Sequence, residues 1–384
     1  MKTLPALDAL SLFPDEHAAV LETLRRSRVG LITNHTGKTI NGLSTPAALR
    51  VIDVSIVALF SPEHGFAGKL EGDISSSQTD DGVVIHSLYG ETRRPTLEML
   101  EQIDVLVFDI QDVGARFYTY GSTLAYALEE CAKFGKTVVV LDRPNPLGRK
   151  IEGPMLENDC QSFIGHVAVP VVHGLTLGEL AQLHKANENL DVDLQIVRCE
   201  NWSRAMLWPE TGLNWLAPSP NLPDFTSAQW YPSLCLLEFS DVAVGRGTDA
   251  PFQIVGAPWF DAHRVLEVLK SSETWRDLGV HAEVIEFTPT RAIYENQICR
   301  GLRFRCEDVS QLAITDFGLT VLWALRHASF AEFGAHRLRA SWQLVGSHRV
   351  LDSLENNELD GALESSLKGA REFEKTREEF LVYK

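Results

Sequence analysis

The chain has 384 residues, of which 45% are hydrophobic and 23% are charged. These are ordinary globular values that exclude a disordered chain, a collagen-like repeat and a small disulfide scaffold. Its 52 acidic and 35 basic side chains give a formal net charge of −17. Duplex nucleic acid and anionic lipid are therefore excluded as main partners, since both need a dominant basic face, whereas an anionic small molecule could still bind beside a few arginines. At about 150 residues per domain, this length predicts two to three domains.

The cysteines and the start of the chain bear on the cellular compartment. Six cysteines are scattered without a C-x-x-C pair, which predicts free, mostly buried thiols in a reducing compartment. Pro5, Asp8 and Asp15 interrupt the apolar run that a signal peptide needs. No stretch approaches the roughly 20 apolar residues of a membrane span. We therefore expect a cytoplasmic protein without membrane insertion, or a periplasmic or secreted one if a leader was removed.

The first half of the chain alternates predicted strands and helices. Strands are predicted at 29–33, 55–60, 83–88, 104–110 and 137–142, and helices at 45–51, 95–102 and 122–134. The runs DVLVFDI and TVVVLD are continuously apolar, which is typical of strands buried on both faces of a parallel sheet. Strands that alternate with helices predict a doubly wound α/β domain.

The predicted elements continue through the remainder of the chain, where a second unit follows a long loop at 208–224. A strand at 167–172 precedes a helix at 176–187, which Thr176 opens with Glu179 three residues later as a capping box. Residues 208–224 are rich in Pro, Gly, Asn and Trp and predict a long ordered loop. Further helices are predicted at 228–237, 261–269, 317–327 and from 359 onward, with a strand at 282–287. We expect domains at 1–230 and 231–384.

Polar segments follow four of the predicted strands, namely TNHTG (33–37), SPEHG (61–65), QDVGARFYTY (111–120) and RPNP (143–146). Ligands of a parallel α/β sheet bind outside the carboxyl ends of its strands, so these segments predict one site along that edge. The candidate residues there are Asn34, Glu63, His64, Asp109, Asp112, Arg116, Tyr118, Tyr120, Asp142, Arg143 and Asn145.

Each candidate also has a structural interpretation. Asn34 could cap a turn, Asp142 could cap its own loop, and Arg116 could form a structural ion pair with a neighbouring aspartate. The two tyrosines could be half-buried aromatics or platforms for a sugar. A functional role is favoured for Glu63 and His64. Burying a carboxylate after an apolar strand costs free energy unless the group is paired or solvated in a cleft.

Two later segments add candidates. In VGRGTDAP (244–251), Arg246 stands between two glycines, which suits close approach of a guanidinium to an anionic ligand, and Asp249 lies in the same segment. A β-turn held by an internal salt bridge is the alternative. Asn221, in PSPNLP (218–223), is a candidate hydrogen-bonding residue.

Several well-known signatures are missing from the sequence. It has no G-x-G-x-x-G after the first strand, no G-x-x-x-x-G-K-[ST], no G-x-S-x-G and no H-E-x-x-H. A dinucleotide enzyme, a P-loop NTPase, an α/β-hydrolase and a zincin are therefore disfavoured. His35, His64, His86 and His173 lack the tight spacing of metal ligands, so we expect neither a metal nor another cofactor.

Eight motifs together resemble one known family. They occur in the order SPEHG (61–65), SLYG (87–90), VLVFDIQDVGARFYTY (105–120), LDRPNPLG (141–148), EGP (152–154), HGLTLGELA (173–181), PSPNLP (218–223) and GRGTDAPFQIVGAPW (245–259). This series resembles the exo-β-N-acetylmuramidase family, the NamZ-like glycoside hydrolases, from about residue 28 onward. One departure is Ala67, which stands where the family usually has an arginine.

The resemblance implies a Rossmann-like domain, a smaller C-terminal α/β domain and an active site in the cleft between them. It implies release of N-acetylmuramic acid from non-reducing ends of peptidoglycan fragments, without metal or nucleotide. Glycoside cleavage needs a carboxylic acid and a second group that stabilises an oxocarbenium-like transition state. The resemblance implies Glu63 as the acid. Asp109 and Asp112 are candidates for the second carboxylate, or for orienting the 2-acetamido group of the substrate.

The remaining candidates are expected to bind the substrate. Arg116 and Arg246 suit a bidentate grip on the lactyl carboxylate of muramic acid. The asparagines at 34, 145 and 221 would bond ring hydroxyls, and Tyr118 or Tyr120 would stack on a sugar face. A non-catalytic binder of an anionic amino sugar on the same fold remains the alternative, since fold does not determine chemistry. A metal-dependent hydrolase is a third hypothesis.

Overall fold

The structure is a computed structural model, which describes residues 2–68, 75–79, 82–329 and 331–383. Its strands are β1 (Val29–Thr33), β2 (Ile56–Ser61), β3 (Ser77–Gln78), β4 (Val84–Ser87), β5 (Val105–Asp109), β6 (Thr137–Leu141), β7 (Glu152–Met155), β8 (Pro170–Val172), β9 (Leu194–Val197), β10 (Ile254–Ala257), β11 (His281–Phe287) and β12 (Cys299–Arg305). Its helices are α1 (Ala6–Leu12), α2 (Ala18–Arg26), α3 (Thr45–Val51), α4 (Leu97–Leu100), α5 (Tyr120–Lys133), α6 (Leu177–Asn187), α7 (Phe225–Leu234), α8 (Ala262–Ser271), α9 (Glu273–Asp277), α10 (Ile314–Ala328), α11 (Ala335–Ala340), α12 (Trp342–Val345), α13 (His348–Glu355) and α14 (Leu359–Thr376).

The first half of the chain builds a seven-stranded sheet in the order β3-β4-β2-β1-β5-β6-β9. The strands run parallel except for β3, which pairs antiparallel to β4. Strand order reverses at β1, because β2 lies on one side of it and β5 on the other. The carboxyl ends of β1 and β5 therefore flank the switch point at which such sheets bind ligands. The predicted doubly wound α/β domain is confirmed.

Both faces of the four central strands β1, β2, β5 and β6 are buried, which explains their apolar runs. In β5, Leu106 and Phe108 join one hydrophobic cluster, and Val105 and Val107 join the other. Helices α4, α5 and α6 contribute to the first cluster, and α1, α2 and α3 contribute to the second. Since successive side chains of a strand point to opposite faces, a strand between two such layers is apolar along its length, and its polar residue stands at its carboxyl end, as Asp109 does in β5.

The second half forms a smaller mixed α/β unit. Its antiparallel sheet has the order β10-β12-β11. Helix α8 packs against β11 and β12, and Phe317 of α10 packs against Phe304 of β12. Phe317 of α10 and Leu302 of β12 belong to the same hydrophobic cluster as the first face of the large sheet, so the two halves share one core. The fold class is thus confirmed, while the domain boundary at 230/231 stays a prediction.

The end of the chain returns to the first half. The backbone N–H of Val382 donates to Glu179 of α6 at 2.9 Å, and the Tyr383 hydroxyl donates to Asp142 at 2.8 Å. The helix before that segment, α14, packs against β7, where Gly369 lies against Met155. Among the helices of the described ranges, none is both long and apolar enough to span a membrane.

Candidate active site

A cleft opens between the two halves, with a volume of about 760 Å³ that includes its open mouth. That size is within the usual range of small-molecule sites. Its lining residues from the first half include Glu63, His64, Tyr89, Tyr118, Thr119 and Asn221, and those from the second half include Tyr231, Glu238, Arg246 and Phe252. The structure therefore brings Glu63, His64, Tyr118, Asn221 and Arg246 together, as the sequence predicts for a shared cleft.

Glu63 lies in a tight turn directly after β2. His64 and Gly65 both have positive φ angles, +68° and +75°, and a left-handed conformation is uncommon for a residue other than glycine. The turn directs the half-buried Glu63 side chain toward the start of α5, where the Thr119 hydroxyl donates a hydrogen bond to its Oε2. Thr119 is also the N-cap residue of α5. The hydrogen bond from Thr119 to Oε2 thus fixes the position of the Glu63 carboxyl group in the cleft.

Aromatic rings form one wall of the cleft. Phe117 and Tyr231 meet edge to face with centroids 5.1 Å apart, and Phe252 meets Tyr231 at 4.8 Å. Tyr118 packs against Tyr231 at 5.9 Å. Burial raises the pKa of Tyr231 well above its usual value, and the nearby charges of Glu238 and Glu63 add to that effect. The wall is therefore neutral and apolar, which suits contact with the C–H face of a sugar.

Arg246 faces the same cleft from the second half. Its Nη1 atom lies 3.1 Å from Glu238 Oε1, and the thiol of Cys235 lies 3.4 Å from the other oxygen of Glu238. The glycines beside Arg246 have φ angles of +79° and +75°, and a Cβ on Gly245 would come within 2.4 Å of the Ala250 carbonyl oxygen. These glycines are thus required by the backbone of the loop itself, rather than by a ligand as the sequence suggests.

Asp109, a candidate for the second carboxylate or for orienting the 2-acetamido group, lies outside the cleft. Asp109 is fully buried and forms an ion pair with Arg143, with contacts of 2.5 Å to Nε and 3.0 Å to Nη2. The Thr45 hydroxyl also donates to Asp109 Oδ2 at 2.5 Å. Both oxygens are therefore occupied by protein donors. Arg143, also a candidate for substrate binding, is occupied in the same pair and does not line the cleft.

Asp112 is also displaced from its predicted role, because it is buried and does not line the cleft. Its Oδ2 accepts a hydrogen bond from the backbone N–H of Gly114 at 2.7 Å. Burial raises the pKa of Asp112 to about 7. Asp112 is thus a carboxyl group beneath the site surface that gains or loses a proton near neutral pH.

Arg116 holds the fold together instead of binding a ligand. It is 5% exposed, and its guanidinium donates to the carbonyl oxygens of Pro154, Val169, Leu344 and Val345 at 2.8–3.0 Å. Burial lowers the pKa of Arg116 to about 9. Because its terminal nitrogens serve backbone carbonyls from both halves, the prediction that Arg116 grips a substrate carboxylate is corrected.

Two further candidates, Asn34 and Asn145, have structural partners. Asn34 accepts from Thr36 and donates to the Tyr120 hydroxyl at 2.9 Å. Asn145 donates to the Leu175 carbonyl at 2.9 Å. Both asparagines are buried and do not line the cleft, so they position loops rather than ring hydroxyls of a sugar.

The last three candidates also have partners within the protein, namely Asp142, Tyr120 and Asp249. Asp142 accepts from the N–H of Gly178 at 3.0 Å and from the Tyr383 hydroxyl, and burial raises its pKa to about 6. Tyr120 is fully buried and donates to the Pro218 carbonyl at 3.1 Å. Asp249 is exposed on the surface, 3.5 Å from Arg303. None of the three lines the cleft.

Two other sequence features lie away from the cleft. Ala67, where the resemblance leads one to expect an arginine, is exposed and is not among the lining residues. Within the described ranges, two side-chain clusters have the spacing of metal ligands, Glu129–His166–His184 and Asp159–Cys160–His348. Neither includes the histidines at 35, 64, 86 or 173, and neither shares a residue with the cleft.

Comparison with known proteins supports what the motifs indicate. The model "Exo-beta-N-acetylmuramidase NamZ, N-terminal" matches residues 29–226, and the corresponding C-terminal model matches residues 229–383. The chain belongs to the NamZ family. It is 37% identical over 369 residues to the peptidoglycan beta-N-acetylmuramidase NamZ of Bacillus subtilis, across 94% of this chain and 88% of that protein. The family predicted from the motifs is therefore confirmed.

Two solved structures of DUF1343 family proteins from Bacteroides fragilis share the NamZ-family fold of this chain. One superposes with a TM-score of 0.88 at 31% identity, and the other with a TM-score of 0.79 at 27% identity. Each comparison covers 100% of this chain and 99% of the other. The arrangement of both halves is thus shared over the full length.

Several lining residues of this NamZ-family cleft were not predicted from the sequence, among them Tyr89, Thr119, Tyr231 and Glu238. Tyr89 and Thr119 lie within the motifs SLYG and VLVFDIQDVGARFYTY, so the motifs could have indicated both as site residues. Tyr231 and Glu238 lie in the stretch between the motifs PSPNLP and GRGTDAPFQIVGAPW. That stretch carries no motif, and only the fold places it opposite Glu63.

Proposed function

We propose that this chain is an exo-acting glycosidase that releases N-acetylmuramic acid from the non-reducing end of peptidoglycan fragments. The observation that carries the proposal is the cleft in which Glu63 and Arg246 come from opposite halves. An acid and a cation in one cleft match the two chemical demands of the substrate, a glycosidic oxygen to protonate and a carboxylate to hold. Membership of the NamZ family supports the same reaction.

Glu63 is the general acid of this proposal. Oε2 of its carboxyl group accepts a hydrogen bond from Thr119, so Oε1 is the oxygen that carries the proton toward the leaving group. Protonation of the glycosidic oxygen by a positioned carboxylic acid contributes typically about 10²–10⁴-fold to such a reaction. The Thr119 hydroxyl is a positioning group, since it touches the acid and holds the orientation of its carboxyl plane.

Arg246 recognises the lactyl carboxylate. Among the cleft-lining residues that the structure describes, it is the one arginine, and there is no lysine. A protein with a net charge of −17 needs such a local cation to hold an anionic ligand. Glu238 orients the guanidinium toward the cleft through the 3.1 Å contact. N-acetylglucosamine lacks the lactyl group, so discrimination between the two sugars depends on this contact.

The proposal also includes a compartment. The six cysteines are free, and five of them are buried. Free thiols are typical of a reducing compartment. We place the activity in the cytoplasm, where it would act on small muropeptide fragments.

An assay of hydrolysis distinguishes this proposal from the alternative, a sugar-binding module on the same fold. The full-length protein is incubated with the disaccharide N-acetylmuramyl-β-1,4-N-acetylglucosamine, and free N-acetylmuramic acid is measured by mass spectrometry. We expect multiple turnovers per protein molecule, with and without EDTA. Saturable binding of the disaccharide without release of either sugar would contradict the proposal and support the binding module. Activity that EDTA abolishes and zinc restores would support a metal-dependent hydrolase instead.

A further inference from the structure

A second cluster of chemically reactive side chains lies outside the cleft. Glu129 on α5, His184 on α6 and His166 on the loop before β8 converge on one point. Glu129 Oε1 lies 2.5 Å from Nε2 of His166 and 3.0 Å from Nε2 of His184. The three candidate ligand atoms all lie within 4.8 Å of one another. Two imidazoles and one carboxylate oxygen thus face a common centre from three separate segments.

We propose that Glu129, His166 and His184 form a zinc-binding site, distinct from the active-site cleft. Two imidazole nitrogens and a carboxylate oxygen are a common ligand set for Zn²⁺, which each ligand approaches to about 2.0–2.2 Å. An ion at the common centre needs the three atoms to spread only slightly from their present hydrogen-bonded positions. The side chains of His166 and Glu129 are 14% and 17% exposed, so the ion can enter from solvent and a water can be the fourth ligand.

Neighbouring groups hold the ligands in place. Arg94 donates from Nη1 to Glu129 Oε2 at 2.6 Å, which turns the other oxygen toward both imidazoles. The same guanidinium lies 3.7 Å from the Tyr126 ring centroid, and Tyr126 meets the His166 ring edge to face at 4.5 Å. Partners that fix the orientation of a metal ligand in this way are usual around metal sites. Although burial alone would raise it, the pKa of Glu129 is held well below its ordinary range by hydrogen bonds from His166, His184 and Arg94.

The position of the site indicates a structural role. Zinc there would join α5, α6 and the loop that carries Ile164, which lines the cleft. Phe163 of that loop packs against Tyr89 of the cleft with ring centroids 6.0 Å apart. The ion would therefore stabilise one wall of the cleft without touching Glu63. This inference does not rest on the proposed hydrolysis.

The test is zinc binding by the intact protein after treatment with EDTA and removal of the chelator. Isothermal titration with ZnCl₂ is performed on the wild type, His184→Gln, Glu129→Gln and the control His263→Gln, an exposed histidine on α8. Glutamine at 184 keeps a donor for Glu129 but is a poor zinc ligand. We expect one zinc per chain in the wild type and the control, with a higher melting temperature when zinc is present. Loss of an outer-shell partner typically weakens metal binding by about 10–100-fold. Each ligand variant should lose more affinity for zinc than that.

Two results would overturn the inference. One is the absence of saturable zinc binding by the wild type, in which case the cluster is a hydrogen-bond network alone. The other is equal affinity of the wild type and both ligand variants, which would place the bound zinc elsewhere. Titration with MgCl₂ should give no binding, because Mg²⁺ prefers an all-oxygen ligand set. Sugar release by the same samples is measured separately, so failure of this inference and failure of the proposed function are distinguishable.

Discussion

Arg246 Nη1 lies 3.1 Å from Glu238 Oε1, and both side chains line the cleft opposite Glu63. The pair places a half-exposed guanidinium where an anionic ligand can reach it, while one carboxylate fixes its orientation. We therefore expect Arg246 to distinguish a sugar that carries a lactyl carboxylate from one that does not.

Replacing Arg246 tests this role. We expect Arg246→Ala to lower kcat/KM on a muramic acid glycoside by about 10–150-fold, the cost of one or two charge-assisted hydrogen bonds. The same variant should act on the corresponding glucosamine glycoside almost as the wild type does. Arg303→Ala is the control, because Arg303 pairs with the exposed Asp249 away from the cleft. An equal loss on both glycosides would assign Arg246 to the support of its loop.

Thr119 offers a test of how Glu63 is positioned. Thr119→Val removes the hydroxyl that donates to Glu63 Oε2, and we expect kcat to fall by up to about 10-fold while KM changes little. Thr119→Ser keeps the hydroxyl and should stay close to the wild type. Steady-state kinetics across a pH series measure both effects. If the serine and valine variants behave alike, the hydrogen bond has no part in catalysis.

The raised pKa of Asp112 predicts that the stability of the protein depends on pH. Burial raises its pKa from 3.8 to about 7, so between these values the folded protein holds a proton that the unfolded chain has released. The contribution of this bound proton to the free energy of unfolding is fully present below about pH 4 and is lost as the pH rises to about 7. Asp112→Asn cannot ionise, so its stability relative to the wild type should increase over that interval by roughly 2–4 kcal/mol. Urea unfolding at about pH 4 and about pH 8 measures the change, and a constant difference would contradict it.

Arg116 should matter for stability rather than for specificity. Arg116→Met removes the guanidinium that donates to four carbonyl oxygens, of which that of Val169 keeps a second donor, the Leu156 N–H. We expect a loss of at least about 2–3 kcal/mol of unfolding free energy. The ratio of activities on the muramic and glucosamine glycosides should not change in the folded fraction. A large change in that ratio with little loss of stability would restore Arg116 as a substrate ligand.

The strand pattern predicted most of the sheet, because the physical cause of the pattern is local. Strands β1, β2, β5 and β6 each carry a short apolar run, and the loops after them do lie along one edge. The capping box at Thr176 was likewise predicted from four residues, and both of its hydrogen bonds are present. Strands β10 and β12 were missed, since Gly256 and Gly301 interrupt their β-rich pattern. A Cβ on Gly301 would lie 2.1 Å from the Val255 carbonyl, so close packing requires the glycine.

The candidate site was predicted less well, because side-chain partners come from distant parts of the chain. Asp142 and Tyr383 are separated by 241 residues, and Arg116 bonds a carbonyl 228 residues away. No local pattern distinguishes a polar strand-end residue that anchors the edge, such as Asp109, from one that faces the cleft, such as Glu63. Whether such a residue is structural or functional depends on partners that only the fold brings near.

The most direct test of the account is the turnover of Glu63→Gln on the disaccharide N-acetylmuramyl-β-1,4-N-acetylglucosamine, with EDTA present throughout. Glutamine keeps the shape of the side chain and can accept from Thr119, but it has no proton to give. We expect the wild type to release N-acetylmuramic acid at an unchanged rate in EDTA, and the variant to lose at least about 100-fold in kcat with an unaltered melting temperature. A variant that keeps near-normal kcat would contradict the account, since Glu63 would then be structural and another group would be the acid.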